Sequence, residues 1–171
     1  VLRPAILWCD TRTDAECQWI HETIGRQKLR ELVGNPALEG FTLPKLLWVK
    51  KQEPNVYQRI KKVLLPKDYI RYRLTGEFAT EVSDASGTLF FDVAHRRWSE
   101  EMLQRLSIPR EWLPSVSEST QVSGRITSNA AAETGLAAGT PVAAGGADNA
   151  CGAVGSGVVK KGRVLASIGT S

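Results

Sequence analysis

Short apolar runs alternate in this sequence with stretches of helical periodicity, and this constrains the fold more than any other feature. Ala5-Ile6-Leu7-Trp8 reads as a buried strand, and Val63-Leu64-Leu65 is an apolar run too short for a helix. Val122–Ile126 and Pro141–Ala144 have the pattern of further strands. Between them, Cys17, Ile20 and Ile24 fall at spacings of three and four. Leu29, Leu32 and Val33 continue that apolar side until Gly34-Asn35-Pro36 stops it, which predicts one or two helices. Pro44 sits in the first turn of a predicted helix carrying Leu43, Leu46 and Leu47, and Pro54 marks a boundary. Pro66 opens another helix that Thr75-Gly76 ends. Ser99 reads as an N-cap with Trp98 and Leu103 stapling the first turn, and Ser128 to Thr134 followed by Gly135 reads as a short helix. Strands alternating with helices predict the α/β class.

The chain has 171 residues, enough for one domain or for one domain plus part of another. Its 42% hydrophobic and 23% charged residues are ordinary for a packed globular protein. Lys and Arg exceed Asp and Glu by 22 to 18, too weak a surplus to form a nucleic-acid footprint. No stretch approaches 18 apolar residues and the start lacks a signal-peptide layout, so neither a membrane span nor secretion is expected. Cys9, Cys17 and Cys151 fit no Cys-x-x-Cys pattern and read as reduced thiols, which predicts a cytoplasmic protein. His21 and His95 have no partner spaced to share a metal and read as surface residues. Composition changes near Trp112: residues 112–171 hold 10 of the 15 glycines but only 7 of the 40 charged side chains. The sequence opens inside an apolar run and stops directly after the strand-like Ala166-Ser167-Ile168-Gly169-Thr170, so it reads as an internal part of a longer fold.

Chemistry concentrates in the Gly-rich stretch from Ala144 to Gly157. Its glycines at 152–157 run G-x-x-G-x-G, the reverse of the dinucleotide fingerprint. Gly157 to Gly162 has the gap of a P-loop, but Arg163 and Val164 occupy the positions of the required Lys and Ser or Thr. What remains is Asp148 and Asn149 at the carboxyl end of a strand where a small-residue helix begins, a place where α/β sheets bind ligands. An ionised Asp can orient or deprotonate a hydroxyl and an Asn can both donate and accept, which suits a polyol; a plain helix N-cap fits the local pattern as well. Ser167-Ile168-Gly169-Thr170-Ser171 is either a phosphate cradle or a small-residue turn. Asp10 and Arg12 either touch a ligand or pair with each other on the surface, and Ser83-Asp84-Ala85-Ser86-Gly87 is either a helix cap or a site loop.

Together these segments resemble the FGGY carbohydrate kinases and, within them, the xylulokinase branch. Gly40-Phe41-Thr42-Leu43-Pro44-Lys45-Leu46-Leu47-Trp48-Val49-Lys50-Lys51-Gln52 matches that family's first signature, in which a Ser or Thr precedes a Lys, an apolar residue and a Trp. Segments 3–12, 63–69, 74–77, 83–88, 144–157 and 167–171 are similar to xylulokinase segments in the same order. The resemblance implies an actin-like ATPase, ribonuclease-H-like fold of two lobes, with residues 1–158 in the later part of the sugar-binding lobe and 159–171 starting the ATP-binding lobe. It implies Asp148 as the base, Asn149 as a sugar contact, Asp10, Arg12 and Asp84 on the sugar side, and Gly169, Thr170 and Ser171 opening a phosphate loop. ATP and Mg²⁺ are the implied cofactors, and the implied reaction is phosphorylation of a ketopentose such as D-xylulose; a homodimer is compatible with it. Another FGGY kinase acting on ribulose or a polyol, or a non-catalytic sugar-binding remnant, are the alternative readings. The first phosphate loop and the adenine pocket are not in this sequence, so these residues alone are expected to be inactive. Ala147 stands where many relatives carry glycine, a change expected to be tolerated if the backbone there admits a Cβ.

Overall fold

The computed structural model describes residues 1–166. Its first half is helical, and the glycines and prolines expected to delimit helices do so. Helix α1 (Asp14–Ile24) buries Cys17, Ile20 and Ile24, and α2 (Arg26–Val33) buries Leu29 and Val33. Gly25 separates the two at φ +86, and Gly34 ends α2 in the left-handed region, where a side chain would be strained. Helix α3 (Thr42–Gln52) buries Leu43, Leu46 and Leu47, with Pro44 in its first turn, where its missing N–H leaves no helical bond unmade. Pro54 opens the single turn α4 (Pro54–Tyr57), and Pro66 opens α5 (Pro66–Thr75), which ends at left-handed Gly76.

The second half alternates short strands and helices. In order come β1 (Ala79–Glu81), α6 (Val82–Ala85) running into a 3₁₀ turn, β2 (Phe91–Asp92), β3 (Arg97–Trp98) and α7 (Glu100–Leu106). After a second 3₁₀ turn follow β4 (Ser115–Ser117), β5 (Val122–Arg125), α8 (Ser128–Thr134), β6 (Pro141–Ala143) and α9 (Asp148–Gly155). β1 and β4 pair in parallel with Thr80 opposite Val116, β2 and β3 form a hairpin with Phe91 opposite Trp98, and β5 and β6 pair antiparallel with Arg125 opposite Pro141. The Ser99 hydroxyl caps α7 by accepting from the Met102 N–H at 3.4 Å, as expected. The core joins α1–α3 to the β2–β3 hairpin and α7 through Ile20, Leu29, Leu43, Phe90, Phe91 and Met102, all fully buried. Each such side chain contributes about 1.5–3 kcal/mol when taken from water.

Two expected strands are absent. Residues 5–8 are irregular, with Leu7 65% and Trp8 63% exposed, and residues 63–65 make no ladder beyond the Val63 N–H donating to the Trp112 carbonyl at 2.8 Å. A strand needs a neighbour to pair with, and among the described residues neither segment has one. Both instead line a largely apolar cleft of about 1040 Å³, together with Tyr72, Phe78, Lys67 and Asp84. His21 also departs from the surface placement expected of it. It is half-buried, its Nε2 accepts from the Ala37 N–H at 3.1 Å, and burial lowers its pKa. His95 is exposed, 2.7 Å from Asp92. All three cysteines are free; burial pushes the Cys17 thiol up to about 11.

Candidate active site

The turn from β6 into α9 carries Asp148. Gly145 adopts φ +85, which favours glycine, and a Cβ on Gly146 would stand 2.7 Å from the sulfur of exposed Cys151, which would have to turn aside. Ala147 is extended at φ −60, ψ 146, a conformation that admits its Cβ. Asp148 is therefore not the N-cap but the first helical residue, and Ala147 takes the cap position without a side-chain bond. The Asp148 carboxylate is exposed, and one oxygen accepts from the Asn149 N–H at 2.7 Å. Asn149 is exposed beside it. An acid in the first turn also lies at the positive end of the helix dipole, where negative charge is favoured.

Bonds from three earlier segments fix this turn. The Ala144 N–H donates to the Gln121 carbonyl at 2.8 Å and the Gly145 N–H to the Ser119 carbonyl at 3.0 Å. The Ala147 N–H donates to the Ser83 hydroxyl at 2.9 Å, and Arg71 donates to the Ala144 carbonyl. Behind the turn lies a buried polar cluster. Glu81, fully buried, accepts from the Ser83 N–H at 2.6 Å, the Ser83 hydroxyl at 2.7 Å, the Asp84 N–H at 2.8 Å and the Ser119 hydroxyl at 3.0 Å. Burial alone would raise the Glu81 pKa, but the bonds from Ser83 and Asp84 and the Lys67 charge outweigh it and hold the carboxyl below its ordinary value. The Lys67 ammonium sits 2.9 Å from Asp68, 3.4 Å from Glu81 and 3.3 Å from Asp84. Desolvation would lower its pKa, yet the bond to Asp68 and the three negative charges raise it. Asp84 moves the other way: burial raises it more than Lys67 lowers it.

The sequence-derived site residues do not all come together. Asp84 lines the cleft beside Lys67, and its neighbour Ser83 reaches the turn before Asp148. The cap of α6 is Glu81, with Asp84 in the first turn as one of the N–H groups it satisfies. Asp10 and Arg12 form a two-pronged pair, Arg12 Nε to Oδ1 at 2.9 Å and Nη2 to Oδ2 at 2.7 Å, with the guanidinium 4.9 Å from the centre of the Trp48 ring. That pairing lowers the Asp10 pKa and raises that of Arg12, the surface pairing weighed from the sequence. Gly169, Thr170 and Ser171 lie outside the described residues. Lys67, Arg71, Glu81 and Ser119 were missed. Asp68 and Arg71 sit three apart on a helix, the spacing of an ion pair, and were legible as such, whereas nothing local marks Glu81 as the hub.

Comparison with known proteins bears on the family. Residues 1–155 match the FGGY family of carbohydrate kinases, N-terminal domain. The chain is 47% identical over 171 residues to the xylulose kinase of Escherichia coli K12 and 49% identical over 170 residues to that of Staphylococcus xylosus. These alignments take in 100% and 99% of this chain and 35% of each relative, so the chain spans about a third of the length of the curated relatives it matches. The crystal structure of xylulose kinase from Rhodospirillum rubrum superimposes with a TM-score of 0.89 at 30% identity, covering 94% of this chain and 33% of that one. The described elements are thus part of the α/β, actin-like ATPase fold of these kinases. With the Asp148 turn, the polar cluster behind it and the Trp48 segment all inside the matched region, the chain belongs to the FGGY family of carbohydrate kinases.

Proposed function

We propose that the complete enzyme transfers the γ-phosphoryl group of ATP to the terminal hydroxyl of a ketopentose, converting D-xylulose to D-xylulose 5-phosphate in the cytoplasm. The observation that carries this reading is the exposed Asp148 carboxylate at the first turn of α9, held among the described residues by one backbone N–H. The xylulose kinase names of relatives at 47% and 49% identity support the choice of sugar.

Phosphoryl transfer has a loose transition state, so the protein chiefly aligns groups and neutralises charge. Asp148 holds the attacking hydroxyl in line and accepts its proton as the bond to phosphorus forms, while Asn149 orients a neighbouring hydroxyl. Asp84 presents a carboxylate to the cleft, and Asp10 with Arg12 forms an edge of the sugar side. Gly169, Thr170 and Ser171 begin the phosphate loop, and residues 159–171 open the ATP lobe after a sugar lobe ending at 158. Mg²⁺ enters with ATP as the substrate complex, and no described residue is assigned to it.

The test is ADP release by the complete enzyme with MgATP against a panel of ketoses and polyols. D-xylulose is expected to give the highest kcat/KM and a 5-phosphate product. A tenfold preference for ribulose or a polyol would refute the assignment of the sugar.

A further inference from the structure

We propose that Glu81 and Ser83 are positioning residues for Asp148, setting the base through the backbone of the turn that presents it. The inference rests on the reading of Asp148 as the base and adds the groups that place it.

Among the described residues Asp148 has little of its own to hold it, because its carboxylate is exposed and the bond it accepts comes from the adjoining residue. Its position is therefore inherited from residues 144–147. Three N–H groups of that turn are anchored, and the last before Asp148, on Ala147, is the one bound by a side chain, the Ser83 hydroxyl. A hydroxyl has one proton, and here its direction is determined. An ionised carboxylate can only accept, so Ser83 donates to Glu81 at 2.7 Å and its free lone pairs face the Ala147 N–H at 2.9 Å. Ser119 repeats the logic: its hydroxyl donates to the same Glu81 oxygen at 3.0 Å while its carbonyl takes the Gly145 N–H. One fully buried carboxylate thus orients two of the three segments that grip the turn, Arg71 being the third. The carboxylate is itself immobilised by the Ser83 and Asp84 N–H groups and by Lys67 at 3.4 Å. Chained, charge-assisted bonds around a buried carboxylate are stiff, and a base displaced by about 1 Å can lose on the order of 10²-fold in rate.

Ser83→Ala and Ser83→Thr in the complete enzyme separate positioning from folding, because threonine keeps the hydroxyl. Ser83→Ala is expected to lower kcat about tenfold with the KM for the sugar within about twofold. It should also speed hydrogen exchange at the Ala147 amide, and Ser83→Thr should restore both. Unchanged kcat in Ser83→Ala, or equal loss in the two variants, would overturn the proposal. Absence of sugar-dependent ADP release in the wild-type enzyme would remove the base and the proposal together, whereas normal wild-type turnover with an unaffected Ser83→Ala removes the positioning role alone.

Discussion

The guanidinium of Arg71 donates to the carbonyl of Ala144, 73 residues further along the chain. It also donates to the Ala79 carbonyl and, at 2.7 Å, to Asp68, so one planar side chain joins α5, the start of β1 and the end of β6. A lysine ammonium at 71 cannot span acceptors set on different sides of a fork. Arg71→Lys should leave at least one buried acceptor unmatched and destabilise the protein by about 1–3 kcal/mol. Urea unfolding checks this as a lower midpoint at unchanged slope; an unaltered midpoint would show that the fork is not needed.

Asp148→Asn keeps the shape of the side chain and removes its basicity. In the complete enzyme kcat should fall on the order of 10²–10⁴-fold. Sugar affinity, measured by calorimetry, should stay within a few-fold. Retained turnover would transfer the role of base to another group.

Acid stability should depend on Glu81. Its folded pKa lies below the ordinary 4.5, so near that pH the unfolded chain binds more protons than the folded one and stability rises with pH. The stabilisation is complete above pH 4.5 and is lost as pH falls through the folded value. Glu81→Gln should flatten that acid limb. Asp84, raised from 3.8 by burial, has the opposite sign: stability falls as pH rises through the window above 3.8, so Asp84→Asn should steepen the net acid loss. Denaturant midpoints between pH 3 and pH 6 would read both effects; parallel curves for wild type and Glu81→Gln would contradict the first.

Gly124 in β5 packs directly on the end of α5. A Cβ there would lie 2.8 Å from the Thr75 Cβ, an atom next to the backbone that cannot swing away. Gly124→Ala should cost about 1–3 kcal/mol through overpacking, seen as a thermal midpoint lower by several degrees. A neutral effect would mean that α5 can slide off the β5–β6 pair.

Local chemistry made most helices legible before any coordinates. Gly34, Gly76 and Gly135 end helices in the left-handed region, Pro54 and Pro66 begin them, and Ser99 caps one. β5 and β6 were legible as short strand patterns, whereas β1 was not, because Ala79-Thr80-Glu81 is buried throughout and carries no alternation. The runs at 5–8 and 63–65 show the converse: a strand pattern records what a segment can do, and pairing depends on an edge elsewhere in the chain. At the site, Asp148 and Asn149 stood out in the sequence because they follow a glycine-rich run. Ser83 stood out only as part of a cap or site loop, and Glu81 and Ser119 did not, since tertiary folding alone brings Ser119 to the carboxylate that Ser83 meets locally.

Among the described residues, the groups that anchor the 144–147 turn from other parts of the fold, on Arg71, Ser83, Ser119 and Gln121, all lie earlier in the sequence, while the Ala147 carbonyl accepts from the Cys151 N–H of α9. Translation runs in that direction, so on the ribosome these four anchors are already synthesised when residue 148 leaves the exit tunnel. The nascent acid meets a seat whose outer anchors are in place, and α9 completes it through the Asn149 and Cys151 N–H groups.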